Sequence, residues 1–173
     1  LQWWLYTKSV MPDLIITVSR RMSAFVTKHF PKVKIVAVPT CVDISTFLYQ
    51  GIASQKRTGI FAYLGTGAPW QALDKLSVLW QAIHRKDPVI RFRVISRDPR
   101  CQVLAQGINP AAIEFVQSNN FSEVASFLHK AEAGFLIRED SIVNRVSFPT
   151  KLAEYLAAGC WVVASELDWD ISD

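Results

Sequence analysis

Cysteine is scarce in this chain and long apolar runs are absent, which argues against two classes of protein. The 173 residues include three cysteines, Cys41, Cys101 and Cys160, which are far apart and odd in number. Because no C-x-x-C pair occurs, we expect no disulfide framework, and a reducing cytoplasmic location is the simplest expectation. No stretch approaches the roughly 20 apolar residues that cross a bilayer, and we expect no signal peptide.

Histidine and charged residues are also sparse. His29, His84 and His129 stand alone, so we expect no metal site and no cofactor. Charged residues make up 20% of the chain and hydrophobic residues 50%, which is typical of a globular protein. The net charge of +4 suits an anionic ligand, and peripheral association with the inner membrane face stays open. No basic run is interleaved with aromatic residues, so nucleic acid is not expected as a partner.

Known catalytic motifs are missing too. The chain contains no G-x-S-x-G sequence, and Cys160 stands at the start of an apolar strand, where we expect a packed residue. Catalytic residues therefore cannot be assigned from sequence motifs.

A regular alternation of strands and helices begins at Gly59 and predicts an α/β protein with a Rossmann-like, doubly wound parallel sheet. The predicted strands are 59–64, 90–96, 113–116, 133–137 and 161–165, and the predicted helices are 70–85, 102–106, 121–130 and 149–158. Before this region we predict a helix or helix end in 1–10, strands 13–18 and 33–38, a helix 20–30 capped by Ser19 and a loop 39–58.

The strongest local signal is the segment SFPTKLAEYLAAG, a helix that follows an apolar strand and ends at Gly159. A helix N-terminus beyond a parallel strand suits phosphate, and Pro149 fits its first position. Lys151 puts a cation in the first turn, where an isolated helix disfavours one, so an anion is expected nearby. Glu154 lies one turn further on and can accept hydrogen bonds from sugar hydroxyls. The alternative is an exposed ion pair between Lys151 and Glu154 on an ordinary amphipathic helix.

Two other segments end strands at the same predicted sheet edge, where ligands of such folds bind. Gly65-Thr66-Gly67 follows one strand, although Trp70 breaks the G-x-G-x-x-G pattern and a simple tight turn is the alternative. Ser96-Arg97 ends the next strand, where an arginine can hold the extra phosphate of NADP. An NADP-binding oxidoreductase domain therefore stays open.

Several segments resemble the retaining GT-B glycosyltransferases that build bacterial cell-surface polysaccharides. Residues 13–19, DLIITVS, are similar to the last strand of that family's acceptor domain. The stretch VPTCVD, 38–43, followed by Phe47, resembles the P-N-G-V-D…F sequence that leads into the donor domain. Tyr63-Leu64-Gly65 resembles the first donor-domain strand and its glycine turn. Residues 147–159 and 161–165 resemble the donor-site helix and the strand after it, and the stretch from Leu136 to Lys151 resembles a polysaccharide branch.

The resemblance implies a glycosyltransferase of the retaining, hexosyltransferase type that needs no metal. Its partners would be a nucleotide-diphosphate sugar and a glycan or lipid-linked acceptor. Residues 1–38 would end the acceptor domain, 39–58 would connect, and 59–173 would form a donor-binding domain truncated at its C-terminus, so the fragment alone is expected to be inactive. Glu154 would hold the ribose, and the amides near 147–150 together with Lys151 would hold the diphosphate. The full set of candidate donor-binding residues is Gly65, Thr66, Lys75, Arg138, Glu139, Asn144, Ser147, Thr150, Lys151 and Glu154.

Departures from the family pattern affect the sugar site. Thr40-Cys41 replaces Asn-Gly in a turn. Gly65-Thr66-Gly67, followed by Trp70-Gln71 and Lys75, replaces the usual diphosphate clamp. The family's E-x7-E pair keeps Glu154, but Val146 stands at the first position, so Arg138, Glu139 or Asn144 would contact the sugar instead. A non-catalytic scaffold with a decayed sugar site is therefore a further alternative.

Overall fold

The computed structural model describes residues 12–55 and 58–166, and the predicted helix at 1–10 lies outside them. The described chain forms two compact units. The first contains the described residues up to Thr40 together with Ser141–Phe148, and the second contains Cys41–Asp140 and the residues from Pro149 onward. No helix in the described part is both long and apolar enough to cross a membrane.

The second unit is built on a five-stranded sheet in which every pairing is parallel. The strands are β3 (Ile60–Leu64), β4 (Arg91–Ile95), β5 (Ile113–Val116), β6 (Ala133–Leu136) and β7 (Trp161–Ala164). Their spatial order is β5-β4-β3-β6-β7. The predicted α/β doubly wound fold is therefore confirmed.

The strand order reverses between β3 and β6. From β3 the chain proceeds outward through β4 to β5, and it then returns to β6 on the other side of β3 before reaching β7. In open parallel sheets the loops diverge at such a reversal and leave a crevice at the carboxyl ends of the strands. The segments after Leu64 and after Leu136 therefore flank the crevice of this sheet.

One face of the sheet is covered by helix α3 (Leu73–Lys86). Trp80 of α3 is fully buried and stacks on Phe92 of β4, with ring centroids 4.6 Å apart, and it meets Phe135 of β6 edge-on at 5.7 Å. The apolar positions 73, 76 and 80 recur at helical spacing, which buries this side of α3 against the sheet. The 3₁₀ helix Pro99–Ala105 packs beside α3 through Cys101 and Leu104.

The opposite face carries α4 (Phe121–His129) and α6 (Thr150–Ala157). Tyr155 of α6 is fully buried, and its hydroxyl accepts a hydrogen bond from the Leu64 N–H at 2.8 Å. The same hydroxyl donates to the carbonyl of Phe135 at 3.3 Å. Gly134 leaves room for the ring, because a Cβ there would lie 2.5 Å from Tyr155 ring carbons. Tyr155 thus ties α6 to the ends of β3 and β6.

We expect Tyr155→Phe to lower the free energy of unfolding by about 1–3 kcal/mol, because it leaves the partly buried N–H of Leu64 without its acceptor. Urea denaturation followed by circular dichroism measures this change. Tyr49→Phe, in the same unit but half-buried rather than fully buried, serves as the control. Equal stabilities of wild type and Tyr155→Phe would show that the hydroxyl contributes nothing to the junction.

Helix α6 ends in the glycine motif that its sequence predicts. Gly159 has φ +68°, the left-handed conformation that glycine adopts without steric strain. Its N–H donates to the carbonyl of Leu156, and the Cys160 N–H donates to that of Tyr155, which is the Schellman pattern. The helix therefore stops where β7 must begin.

The first unit contains a parallel pair, β1 (Leu14–Thr17) and β2 (Lys34–Ala37), joined through helix α1 (Arg20–Thr27). Ser19 caps α1 as predicted, because its Oγ accepts from the Met22 N–H at 2.9 Å. The same Oγ donates to the carbonyl of Val146 at 2.6 Å. The assignment of 1–38, 39–58 and 59–173 to acceptor domain, connection and donor domain stays a prediction.

Two short α-helices of the described residues lie where loops were predicted. Helix α2 (Ile44–Phe47) interrupts the predicted 39–58 loop and is capped by Asp43. Helix α5 (Ile142–Val146) interrupts the predicted loop after β6 and is capped by Ser141. With four and five residues, both are too short to show a helical period in the sequence. Pro149 is the residue before α6, one position earlier than predicted.

Candidate functional site

A cavity of about 470 Å³ opens at the carboxyl ends of β3, β4 and β5 in the second unit. It is where the fold predicts a ligand. A second cavity, of about 300 Å³, lies at the amino ends of the strands, where Arg93 forms an ion pair with Glu114. The first cavity is lined by Leu64, Gly65, Thr66, Ile95, Ser96, Arg97, Asp98 and Ser118.

The loop after β3 is held on both sides of Thr66. The Tyr63 hydroxyl donates to the carbonyl of Thr66 at 2.7 Å, and the Gly67 N–H donates to the Asp98 carboxylate at 2.8 Å. A hydrogen bond from Arg100, followed by that of the Gly67 N–H, keeps the pKa of Asp98 well below its usual range. Asp98 therefore stays ionised and keeps the loop in place across the physiological pH range.

Lys151 reaches this loop from the first turn of α6. Its Nζ donates to Oε1 of Gln71 at 2.8 Å and lies 4.8 Å from the ring centroid of Tyr63. Its hydrogen bond goes to Gln71 rather than to Glu154, so the alternative of a simple exposed Lys151–Glu154 pair does not describe this arrangement. The amine is instead aimed across the sheet edge at the β3 loop.

Gly65 is the point of closest approach between that loop and Lys151. A Cβ at this position would overlap Nζ and lie 2.7 Å from Cε of Lys151. Gly65 also has φ +150°, a conformation that other residues rarely adopt. Glycine at position 65 therefore allows the backbone and the Lys151 amine to approach each other closely. Such an approach is required if both are to contact the same ligand group.

A second cation belongs to the same environment. Arg138 follows β6 and is 9% exposed, and its backbone N–H donates to Ser165 Oγ at 2.6 Å. Burial, and then the positive charge of Arg138, lower the pKa of Lys151 to about 7. Two cations held in a partly buried place repel each other, and an anion between them would relieve that repulsion.

Glu154 is half-buried one turn after Lys151. Burial raises the pKa of its carboxyl, and the charge of Lys151 opposes that rise. A carboxylate that is partly removed from water regains stability when hydroxyl groups donate to it. This position is compatible with the predicted ribose contact, which stays a prediction.

Lys75 and Glu139, which were predicted to contact the donor, contact each other. Their side chains form an exposed ion pair with Nζ and Oε2 2.7 Å apart. The Glu139 N–H also donates to the carbonyl of Trp70 at 3.3 Å. The pair links α3 to the segment after β6, and a direct role of either residue in donor binding stays a prediction.

The remaining predicted residues fall into two places. Thr150 is exposed at the start of α6, whose preceding residue, Pro149, offers no side-chain cap, so the first amides of the helix have no side-chain acceptor. Asn144 and Ser147 belong to the first unit, where the Ser147 hydroxyl donates to the Asn144 carbonyl at 3.2 Å. Their assignment to the donor site stays a prediction.

The candidate donor-binding residues predicted from the sequence did not include Tyr63 or Gln71, although Gln71 stands in the segment that replaces the diphosphate clamp. Tyr63 is buried on β3, and Gln71 is buried in the 3₁₀ turn Pro69–Gln71. Both contact Lys151. The available signals were the resemblance of Tyr63-Leu64-Gly65 to the first donor-domain strand and the place of Gln71 in the segment that replaces the clamp, and neither indicates a contact with Lys151. Arg97, the residue that suggested NADP, donates a hydrogen bond to the side chain of Asn119.

No family model matches the chain, and no curated protein matches its sequence. Solved structures do match. The pneumococcal O-GlcNAc transferase GtfA in complex with UDP and GlcNAc superposes with a TM-score of 0.72 at 15% identity, over 98% of this chain and 33% of GtfA. Sucrose-phosphate synthase from Thermosynechococcus elongatus gives 0.67 at 16% identity, over 96% and 44%. An α,α-trehalose-phosphate synthase (UDP-forming) from Burkholderia vietnamiensis gives 0.64 at 13% identity, over 90% and 47%.

These neighbours are GT-B glycosyltransferases, and at such identities the likeness shows a shared Rossmann-like fold. The chain spans between a third and a half of the length of these three neighbours. The fold class implied by the sequence resemblance is thereby confirmed.

Proposed function

We propose that this chain is the nucleotide-sugar donor-binding part of a glycosyltransferase. The observation that carries the proposal is the contact of Lys151 with the β3 loop at the strand-order reversal. There an amine, a glycine backbone and the start of a helix converge on one place. These are the groups that hold a diphosphate in parallel α/β folds.

In the proposed reaction the diphosphate is the leaving group. Negative charge grows on it as the bond between the sugar and the diphosphate breaks. Lys151, the first amides of α6 and Arg138 would be aligned to stabilise that charge before the reaction begins, which is the electrostatic route to catalysis. Glu154 would hold the ribose, and donor binding would thus fix the leaving group against these cations.

The finer parts of the proposal follow from the sequence resemblance. They are a retaining hexosyl transfer, a glycan or lipid-linked acceptor in cell-surface polysaccharide synthesis, and association with the inner membrane face. Support for sugar-nucleotide use comes from the neighbours, since GtfA was solved with UDP and GlcNAc and the trehalose-phosphate synthase is UDP-forming.

A binding panel of UDP-, GDP-, ADP- and dTDP-sugars, measured by ligand-observed NMR, tests the proposal. Binding of NADP in preference to every nucleotide-sugar would contradict it.

An NADP-binding domain is the second candidate, because Arg97 lines the cavity at the end of β4. Arg97→Gln separates the two functions. Under the donor-site proposal this variant still binds nucleotide-sugars in preference to NADP, whereas an NADP site would lose its preference for NADP over NAD.

We expect Glu154→Ala to weaken nucleotide binding by about 1.5–3 kcal/mol, because a charged hydrogen-bond acceptor is lost. The thermal midpoint should change little, since burial disfavours this carboxylate in the free protein. Calorimetric titration with the nucleotide-sugar chosen by the panel measures the first effect. Glu114→Ala, on β5 at the other end of the sheet, is the matched control. Equal affinity of Glu154→Ala and wild type would remove Glu154 from the site.

A further inference from the structure

Gln71 contacts Lys151 across the fold, 80 positions earlier in the chain. Gln71 ends the 3₁₀ turn Pro69–Gln71 and is 6% exposed. An ammonium group donates and cannot accept, so the amide must turn its oxygen toward Lys151. The turn is itself anchored, since the Gln71 N–H donates to the carbonyl of Ala68 at 2.8 Å.

We propose that Gln71 is the positioning residue of Lys151. Its neutral oxygen fixes the amine beside Tyr63 and Gly65 and leaves the positive charge of Lys151 for the diphosphate. The part of this proposal that concerns the diphosphate rests on the proposed function.

The choice of an amide matters because of what else surrounds the amine. Tyr63 of β3, Cys101 of the 3₁₀ helix and Arg138 after β6 act on Lys151, together with Glu154 of its own helix. Burial raises the pKa of Tyr63 and Cys101, which keeps both neutral near pH 7. Arg138 is a cation, and the Glu154 carboxylate raises the pKa of Lys151, but Nζ of Lys151 donates to Gln71 rather than to Glu154. A carboxylate at position 71 would form a permanent ion pair with Lys151 and compete with the diphosphate, whereas the amide does not.

The direction of the pH dependence follows from these surroundings. In the free protein the pKa of Lys151 is lowered to about 7, so the amine loses its proton as pH rises through neutrality. A bound diphosphate favours the charged amine and raises that pKa. The affinity for the diphosphate is therefore highest below pH 7 and decreases above it. The decrease is at most about tenfold per pH unit, because a single proton is involved.

The first measurement needs no ligand. Lysine Cε resonances of the ¹³C-labelled protein are followed by NMR from pH 5.5 to 10.5, and the Lys151 signal is identified by its loss in Lys151→Gln. We expect Gln71→Glu to raise the pKa of Lys151 by about one pH unit or more, because an opposite charge is introduced. Gln71→Met, which removes the acceptor at similar size, should lower it. Gln106→Glu, an exposed site with the same change of charge, should leave it unchanged.

The second measurement is calorimetric titration with UDP-N-acetylglucosamine, or with the nucleotide-sugar that binds best on the panel, between pH 6 and 8.5. Each phosphate of such a donor carries one ester bond and one anhydride bond and a single, strongly acidic hydroxyl, so the phosphates do not titrate in this range. We expect wild-type affinity to fall above pH 7. Gln71→Glu should bind about tenfold more weakly at pH 6.5, and Gln106→Glu should follow wild type.

The outcomes separate the two proposals. If wild-type protein binds no nucleotide-sugar, the proposed function is overturned, together with the part of the present proposal that concerns the diphosphate. The Lys151 titration still decides whether Gln71 positions the amine. Binding that is present but unaffected in Gln71→Glu overturns the role of Gln71 alone. An unchanged Lys151 titration in both Gln71→Glu and Gln71→Met, in variants with wild-type circular dichroism, would reduce Gln71 to a structural residue.

Discussion

Lys151→Gln should weaken the binding of a nucleoside diphosphate by about 1.5–3 kcal/mol, the range for hydrogen bonds to charged groups, which is roughly 10- to 150-fold. The corresponding uncharged nucleoside should bind nearly as well as before, because it presents no charge to Nζ. The lysine amine faces Gly65 and Gln71, so its charge would act on a bound diphosphate over a short distance. Calorimetric titration of both ligands against wild type and Lys151→Gln gives the change in affinity for each ligand. Rising salt should reduce the difference between these two changes.

The control for this variant is Lys86→Gln, which removes an exposed cation at the end of α3. It lowers the net charge equally and should leave both affinities unchanged. If Lys151→Gln weakened nucleoside and nucleoside diphosphate to the same extent, Lys151 would have no specific contact with phosphate.

Trp80→Ala should produce the largest loss of stability, about 3–5 kcal/mol of the free energy of unfolding. Trp80 is fully buried between α3 and the sheet, in contact with Phe92 and Phe135, and the cavity left by the indole has no exposed side through which it can collapse. Small domains are stable by about 5–15 kcal/mol, so the variant is expected to be partly unfolded near physiological temperature. Urea denaturation followed by circular dichroism measures the change.

Trp161→Ala is the matched control, because this indole is 54% exposed on β7. Its loss should cost about 1 kcal/mol or less, as for surface substitutions. Similar losses in the two tryptophan variants would show that α3 does not pack on the sheet as described.

The strand–helix alternation from Gly59 onward was sufficient to predict the sheet. Each strand there is a short apolar run bounded by turn residues, and β6, which is buried on both faces, reads as an uninterrupted apolar segment. The end of α6 was also predictable, since Gly159 is required where the backbone turns left-handed. The short helices α2 and α5 were not, because four or five residues do not complete enough turns to show a period.

For the candidate site, the sequence predicted two elements: a glycine turn after β3 and a lysine in the first turn of α6. Both are local features, because conformation at a turn and charge at a helix end depend on neighbouring residues. Tertiary structure alone decided that Lys151 points at Gly65, that Gln71 receives its hydrogen bond and that Lys75 pairs with Glu139. Those contacts join residues 64 to 86 positions apart, and no local pattern encodes which distant side chains the packing of helices on a sheet will bring together.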